Sequence, residues 1–400
     1  MEQVLYELPS DWHWETLTEV TSFIGGSQPP KSEFSYIEIE GYIRLIQIRD
    51  YKTDSHIVYV KKKSTKKFCK KDDVMIGRYG PPVFQILRGL EGAYNVALMK
   101  AVPDDEVLSK DYLFAFLQSS PIQNYIVGLS QRAAGQSGVN KKALENYKIP
   151  TPPLPEQKRI VEKLDALLTP IDTAIAHLRE SVTLANALFE SSQSEVFRDI
   201  LNEHQNCIID DICTVTSSKR IFKADYVESG IPFYRTKEIV DLYKEQDIST
   251  ELYIDKEKYS EISDKFGSPS KGDLLFSAVG TIGVMWIVDD REFYFKDGNL
   301  LWLKDMKGVT PEYLKAAISA VLTEKIKDRS QGAAYKAISI TNLKAFEIPL
   351  PSIDQQKSIV EKIEDIRNLT KSVKQQVESQ VKDLQKLKSS ILDSAFKGEL

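Results

Sequence analysis

The sequence predicts an α+β protein built twice: two globular domains of mixed α/β-strand character, each followed by a long helix, the two helices forming an antiparallel coiled coil in a pseudo-two-fold chain. Three observations predict it. Ile149–Lys163 (IPTPPLPEQKRIVEK) and Ile348–Lys362 (IPLPSIDQQKSIVEK) share nine of fifteen ungapped residues, where ordinary composition gives about one match. The likeness extends outward, because Lys71–Val83 (KDDVMIGRYGPPV) aligns with Lys271–Gly283 (KGDLLFSAVGTIG), and Phe197 matches Phe396. Both copies then run into segments with a helical apolar period. A repeat this long marks duplicated domains, since solenoid units recur every 20 to 50 residues or so. A duplicated chain can set two equivalent surfaces about a pseudo-two-fold axis, as a homodimer does, which suggests a bipartite target.

Residues 1–150 form the first domain and 204–350 the second, in each case short β-rich runs separated by turns. Tyr42–Ile48, Val74–Ile76, Leu274–Ser277 and Met285–Val288 read as strands, and Lys110–Leu129 and Pro311–Asp328 as closing helices. This alternation suits an irregular, twisted sheet. Residues 151–203 and 351–400 are the long helices. The first carries an apolar stripe from Ile160 through Leu164, Leu167, Ile171 and Ile175 to Phe189; the second runs from Ile359 through Ile363, Leu369, Val373 and Val377 to Leu387 and Ile391. Stripes this narrow are coiled-coil seams more often than faces on a large core, so each needs a partner helix and the other copy is the obvious one. Prolines (Pro150, Pro152, Pro153, Pro155; Pro349, Pro351) mark the approach to each long helix, where a missing N–H is tolerated. A helix of 40 to 45 residues is a rod of about 60 to 65 Å. Pro170 has no counterpart at Leu369, which predicts a kink or break in the first helix only.

At 400 residues with 42% hydrophobic and 28% charged content, the chain is globular with at least two cores. No apolar stretch approaches a membrane span, and the start, MEQVLYELPSDW, lacks a basic region followed by a hydrophobic one. Three cysteines form no even framework; a cytoplasmic location without membrane contact is expected. The net charge of −5 is unevenly spread: Lys61–Lys71 holds seven lysines, while Glu238–Asp264 holds nine acidic residues against three lysines. A local basic patch is the electrostatic footprint of a nucleic-acid binder. The same run equally suits a strand edge kept soluble. Ser217-Ser218-Lys219-Arg220 with Lys223 is a second basic cluster.

Catalytic patterns are missing from the sequence. No glycine-rich loop ends in Gly-Lys-Ser/Thr, no Gly-x-Gly-x-x-Gly follows a strand, and no Asn/Asp-Pro-Pro-aromatic tetrapeptide of amino-methyltransferases occurs. His204, Cys207 and Cys213 lack paired spacing and a fourth partner for a metal. Gly77–Gly80 and Gly280–Gly283 could cradle a phosphate or serve as strand-to-turn devices, the commoner use.

These pieces resemble the specificity subunits of type I restriction-modification systems. The resemblance rests on Leu8-Pro9-Ser10-Asp11-Trp12, the two junctions IPTPPLPEQKRIVEKLDALL and IPLPSIDQQKSIVEKIEDI, the turns KDDVMIGRYG and KGDLLFSAVG, the segment Ser217–Ile239, and the terminal SILDSAFKGEL. It covers nearly the whole chain. The first half departs from it with GYIRLIQIRD where the second has GIPFYRTKEI. The resemblance implies a non-catalytic subunit with two target recognition domains, reading a split, asymmetric double-stranded DNA target. It also implies two modification (methyltransferase) subunits and restriction (ATP-dependent translocase/endonuclease) subunits as partners. Cofactors are expected in those partners (S-adenosylmethionine, ATP and Mg) and none in this chain. Two other readings stay open: the DNA-recognition part of a different methyltransferase assembly, and a coiled-coil scaffold that does not touch DNA.

Candidate DNA contacts are Lys61, Lys62, Lys63, Lys66, Lys67, Arg78, Tyr79, Arg132 and Gln136 in the first half, and Lys219, Arg220, Lys223, Tyr335 and Lys336 in the second. The lysines suit phosphates; Arg220 and Gln136 have the forks for guanine and adenine. Candidate partner contacts lie where the copies match best: Gln157, Lys158 and Glu162, and Gln356, Lys357 and Glu361. The same residues could instead cap helix entry and cover the seam.

Overall fold

A computed structural model describes residues 3–132, 138–328 and 337–400. The chain divides into two compact units, Met1–Arg179 with Glu378–Leu400, and Glu180–Val377.

The first unit begins with β1 (His13–Thr16), the one-turn α1 (Leu17–Val20) and β2 (Thr21–Gly25), followed by β3 (Tyr42–Ile46), β4 (Tyr59–Lys61), β5 (Phe68–Cys69), β6 (Val74–Gly77), β7 (Gln85–Leu87), β8 (Gly92–Tyr94) and β9 (Leu98–Pro103). Helices α2 (Lys110–Leu117), α3 (Ser120–Arg132) and α4 (Lys141–Glu145) precede β10 (Lys148–Thr151) and the long α5 (Leu154–Glu203). One antiparallel sheet has the order β2-β9-β6-β7, and a second, β4-β3-β8-β5, contains a parallel step between β3 and β8. β1 pairs with β10, tying the entrance of the domain to its exit.

The second unit repeats this plan with β11 (Asn206–Ile208), α6 (Ile209–Ile212), β12 (Thr214–Thr216), β13 (Tyr226–Val227), β14 (Ile231–Tyr234), α7 (Thr236–Tyr243), β15 (Tyr253–Ile254), α8 (Lys256–Phe266), β16 (Leu274–Ser277), β17 (Met285–Ile287), β18 (Tyr294–Phe295) and β19 (Leu300–Lys304). Helices α9 (Pro311–Asp328) and α10 (Ile340–Lys344), β20 (Glu347–Pro349) and α11 (Ile353–Phe396) complete it. The sheets are β12-β19-β16-β17 and β13-β15-β14-β18, again with one parallel step, β14 on β18, and β11 pairs with β20. The α+β duplication read from the sequence is therefore present: β2-β9-β6-β7 recurs as β12-β19-β16-β17 and β4-β3-β8 as β15-β14-β18, while β5 on β8 belongs to the first unit alone and β13 on β15, α7 and α8 are additions of the second.

Each unit has its own main core. In the first, Leu17, Val74, Ile76, Tyr112 and Leu113 pack with Ile160 and Leu164 of α5 and Leu392, Ala395 and Phe396 of α11. In the second, Ile209, Leu274, Phe276, Tyr313 and Leu314 pack with Phe197 and Ile200 of α5 and Ile359 and Ile363 of α11. The start of α5 thus meets the end of α11 in one unit, and the end of α5 meets the start of α11 in the other; both pairings are antiparallel. Lys388 on Asp172 at 2.7 Å and the Arg367 guanidinium over the Phe189 ring at 5.9 Å repeat the pattern.

Three expectations need correction. α5 runs through Pro170 without a break: the proline is exposed, so water can satisfy the carbonyl its ring leaves without a donor. The seam is shorter than the stripes, because Leu369 and Leu387 are 67% and 49% exposed; a helix with 3.6 residues per turn drifts off a 3.5-residue repeat. The span Lys110–Leu129 is two helices, with Pro121 unable to donate back to the carbonyl of Leu117 across the joint.

Candidate nucleic-acid interface

In the first unit the basic run lies between β4 and β5. Lys61 ends β4, Lys62 and Lys63 sit in a single 3-10 turn, and Lys66 and Lys67 lead into β5. Buried backbone and hydroxyl groups hold this loop. Lys62 N–H donates to Gly41 O at 3.0 Å and Tyr94 N–H to Lys67 O at 3.2 Å. The buried Thr65 hydroxyl shares a 2.6 Å hydrogen bond with Ser27 and accepts from Lys67 N–H at 3.0 Å. The side chains of Lys61, Lys62, Lys63 and Lys66 are exposed and Lys67 is half-buried. Among the described residues none of the five ammonium groups pairs with a carboxylate, whereas Lys100 and Lys110 of the same unit are bound to Asp73 at 3.2 and 2.9 Å. Unpaired cations at this density raise the local potential and attract a polyanion.

Gly26 explains how the loop is positioned. A Cβ there would stand 2.0 Å from the Asn95 carbonyl oxygen, so only glycine lets the chain leaving β2 pass close enough for Ser27 to reach Thr65. On the other side of this segment Arg78 donates from Nη1 to Val96 O at 3.2 Å, and its guanidinium lies 5.2 Å from the Tyr79 ring centre. Tyr79 forms an isolated bridge with Gly138, and Arg78 O accepts from Val139 N–H at 2.9 Å. Arg78 and Tyr79 thereby hold Gly138 and Val139 by backbone contacts. Arg132 is the last residue of that helix, its side chain outside the described residues, as is all of Gln136.

The second unit keeps the scaffold and changes the surface. Lys219 N–H donates to the Tyr294 hydroxyl at 2.9 Å and its ammonium lies 5.0 Å from the Phe266 ring centre. Arg220 is exposed but donates from Nε to Asp297 at 2.8 Å, so part of its fork is already engaged. Lys223 is exposed at the start of a 3-10 turn. Tyr335 and Lys336 lie outside the described residues; the bridge Val279 to Ala337 that follows them matches Tyr79 to Gly138.

The segments that differ between the halves, GYIRLIQIRD and GIPFYRTKEI, adopt one backbone device. Asp50 accepts from Gln47 N–H at 3.0 Å, and Glu238 accepts from Arg235 N–H at 2.8 Å. In the first unit Arg44 and Arg49 approach the buried Asp50 at 3.9 and 3.8 Å, and burial raises that carboxyl above its ordinary range despite them. In the second, Arg235 is held by both Glu238 and Glu251, at 2.8 and 3.2 Å.

The residues predicted to meet a partner divide. Gln157 and Gln356 are fully buried and present nothing to a partner. Gln157 accepts from Ser109 N–H at 2.9 Å and donates to Val107 O and Pro152 O, both at 2.8 Å. Gln356 does the same with Thr310 N–H at 2.9 Å, Gly308 O at 2.8 Å and Pro351 O at 2.9 Å. Their identity in both halves follows from this fastening of the long helix to its domain. Lys158 and Glu162 are exposed, 3.9 Å apart, and Lys357 and Glu361 are exposed too.

The cysteines are packed: Cys207 and Cys213 donate to Ile348 O and Ile209 O, each at 3.6 Å, and burial pushes the Cys213 thiol up to about 12. Among the described residues no group of three or more His, Cys, Asp or Glu side chains is arranged to hold a metal, and no helix is long and apolar enough to cross a membrane. The roles of Gly26, Ser27 and Thr65 were not foreseen; the Gly25-Gly26 pair after a strand was the available signal.

A duplicated α+β scaffold with matched helix junctions and dissimilar basic loops defines a two-domain recognition protein. The type I restriction modification DNA specificity domain matches the chain twice, over residues 9–184 and 203–382. A Haemophilus influenzae chain described as a type I restriction enzyme specificity subunit is 31% identical over 278 residues, 67% of each chain. The EcoKI specificity subunit of Escherichia coli is 24% identical over 98% of this chain and 90% of its own. A solved chain from work on assembly and conformational transition of the type I R-M system superposes with a TM-score of 0.72 at 20% identity, covering 99% of this chain and 100% of that one. The chain belongs to the type I restriction-modification specificity subunit family and carries two of its DNA-recognition domains.

Proposed function

We propose that this chain reads a bipartite, asymmetric double-stranded DNA target, one half-site per domain, and recruits catalysis from other subunits. The observation that carries the reading is that the two domains share strands, junctions and helix fastening while their basic loops differ in sequence, charge pairing and flanking elements. Equivalent frames with unlike loops suit half-sites of unlike sequence. The long helices set the half-site separation. Lys61, Lys62, Lys63, Lys66 and Lys67 contact phosphates in the first half-site, with Arg78, Tyr79, Arg132 and Gln136 beside them; Lys219, Arg220, Lys223, Tyr335 and Lys336 serve the second. The chain itself catalyses nothing. Two modification subunits dock near Lys158 and Glu162 and near Lys357 and Glu361, and restriction subunits join that complex; S-adenosylmethionine, ATP and Mg are bound by those partners.

Co-expression with the modification subunits followed by methylome sequencing tests this. The expected result is methylated adenine in both halves of one split sequence, and two modification subunits per chain by native mass spectrometry. Sequence-specific methylation without this chain, or a stable one-to-one assembly, would overturn it.

A further inference from the structure

The loop before β3 in the first unit presents two adjacent large apolar side chains to solvent, Tyr36 at 77% exposure and Ile37 at 71%. Single exposed apolar residues are ordinary; two side by side on a fixed tip are not. The tip is fixed at both ends. Ser35 and Tyr59 exchange backbone hydrogen bonds of 2.9 and 2.8 Å, and the Ser35 hydroxyl donates to Ile37 O at 2.6 Å while accepting from Ile37 N–H at 3.2 Å. At the far end Tyr42 N–H donates to Ile39 O and Lys62 N–H to Gly41 O, both at 3.0 Å. The last bond ties Gly41, at the foot of this tip, to Lys62 of the lysine loop, whose ammonium groups have no carboxylate partner among the described residues.

Resting on the DNA reading above, we propose that Tyr36 and Ile37 form a wedge inserted into the stack of the first half-site while the neighbouring lysines hold the phosphates. An apolar tip gains little at a hydrated phosphate backbone, and between base pairs it finds the flat apolar faces that such a side chain can cover. Insertion partly unstacks a step and kinks the duplex, so this domain reads sequence partly through how easily one step opens. The second domain presents an aromatic differently: Phe222, 65% exposed, lies between Arg220 and Lys223 ahead of a 3-10 turn. The matching position in the first unit is Pro30, ahead of the turn Lys31–Glu33. The wedge of the first domain is thus its own, and the deformed step belongs to one half-site.

The test uses the complex of this chain with its modification subunits and the duplex that complex enriches from a random-sequence pool, with 2-aminopurine placed at successive steps. Binding is expected to brighten one step of one half-site. The double variant Tyr36→Ala/Ile37→Ala is expected to abolish that brightening and to weaken binding about tenfold to a hundredfold, whereas Tyr36→Phe retains both. Both positions are exposed, so the variants should melt as the parent does. No brightened step, or equal brightening by the double variant, overturns the wedge. Lys61→Gln/Lys62→Gln/Lys63→Gln separates the two readings: if it weakens binding while the double variant does not, only the wedge falls. If the complex enriches no duplex, the wedge falls together with the DNA reading.

Discussion

Asp73 and Asp273 occupy the same position in the two domains, two residues after Lys71 and Lys271, and their environments differ. Each accepts a backbone hydrogen bond at 2.9 Å, from Lys70 in the first domain and Ser270 in the second. Asp73 then pairs with Lys100 and Lys110, while Asp273 accepts from the Trp302 indole at 2.8 Å. Burial would raise both carboxyls. In Asp73 the amide and the two ammonium groups together outweigh burial and hold it below the ordinary range; in Asp273 burial prevails and holds it above. The turn geometry survives while the charge chemistry around it is rewritten, and the surface loops follow the same rule. Lys61, Lys62, Lys63, Lys66 and Lys67 of the first domain have no carboxylate partner among the described residues, whereas Arg220 and Arg235 of the second are engaged by Asp297, Glu238 and Glu251. Backbone devices are what duplication preserved, and side-chain electrostatics are where the copies diverged.

The strongest challenge to that equivalence is to remove the two buried amides. Gln157→Ala and Gln356→Ala each strand a donor and two acceptors, so each should destabilise its own domain by about 3 kcal/mol, read from urea midpoints. A large loss in one and none in the other would break the equivalence. Gly26→Ala tests the close approach present in only one copy: with Asn95 O 2.0 Å from the new Cβ, the backbone must move, at about 2 kcal/mol. Ser218, its counterpart in strand register, should accept alanine at little cost, by thermal melting.

The aspartates sharpen the comparison through pH. A depressed carboxyl stabilises the fold above its unfolded pKa, near 4, and that contribution disappears as pH falls through the still lower folded value. Asp73→Asn should therefore cost about 2 kcal/mol near neutrality and progressively less in acid. Asp273, raised by folding, has the opposite sign: its contribution is full below the unfolded pKa and is lost as pH rises through the folded value. Asp273→Asn should accordingly gain on the parent as pH rises from the unfolded value, near 4, through the folded one; parallel pH profiles for the two variants would contradict the electrostatic contrast. The smallest effect concerns salt. Lys61→Gln/Lys62→Gln/Lys63→Gln should weaken DNA binding by the complex evenly across sequences and lower the salt slope by about 0.9 per lost phosphate contact. Arg220→Gln should change the slope less, because Asp297 already neutralises much of that charge.

Much of the frame was legible because it is written in period and repetition. The prolines marked where α5 and α11 begin, and the start of the second closing helix at Pro311 was recovered. The helix pair was legible in its direction but not in its extent, since Leu369 and Leu387 obey the period and are nonetheless exposed. The role of the best-matched glutamines was misread in part. Repetition marks a residue as shared, yet a shared surface and a shared internal fastening look alike in one dimension.

The sequence by itself determined the duplication, the fold class, the two long helices and the contrast between a lysine-rich loop and an acid-rich one, because these depend on local spacing and composition. Only the tertiary structure decided which lysines are unpaired, that Gly26 brings Ser27 to Thr65, that Gln157 and Gln356 are buried, and that Tyr36 and Ile37 stand out on a fixed tip. Each of those facts depends on groups remote in sequence arriving within hydrogen-bond or van der Waals distance, as with Gln157 and Ser109. No periodicity along the chain encodes that distance.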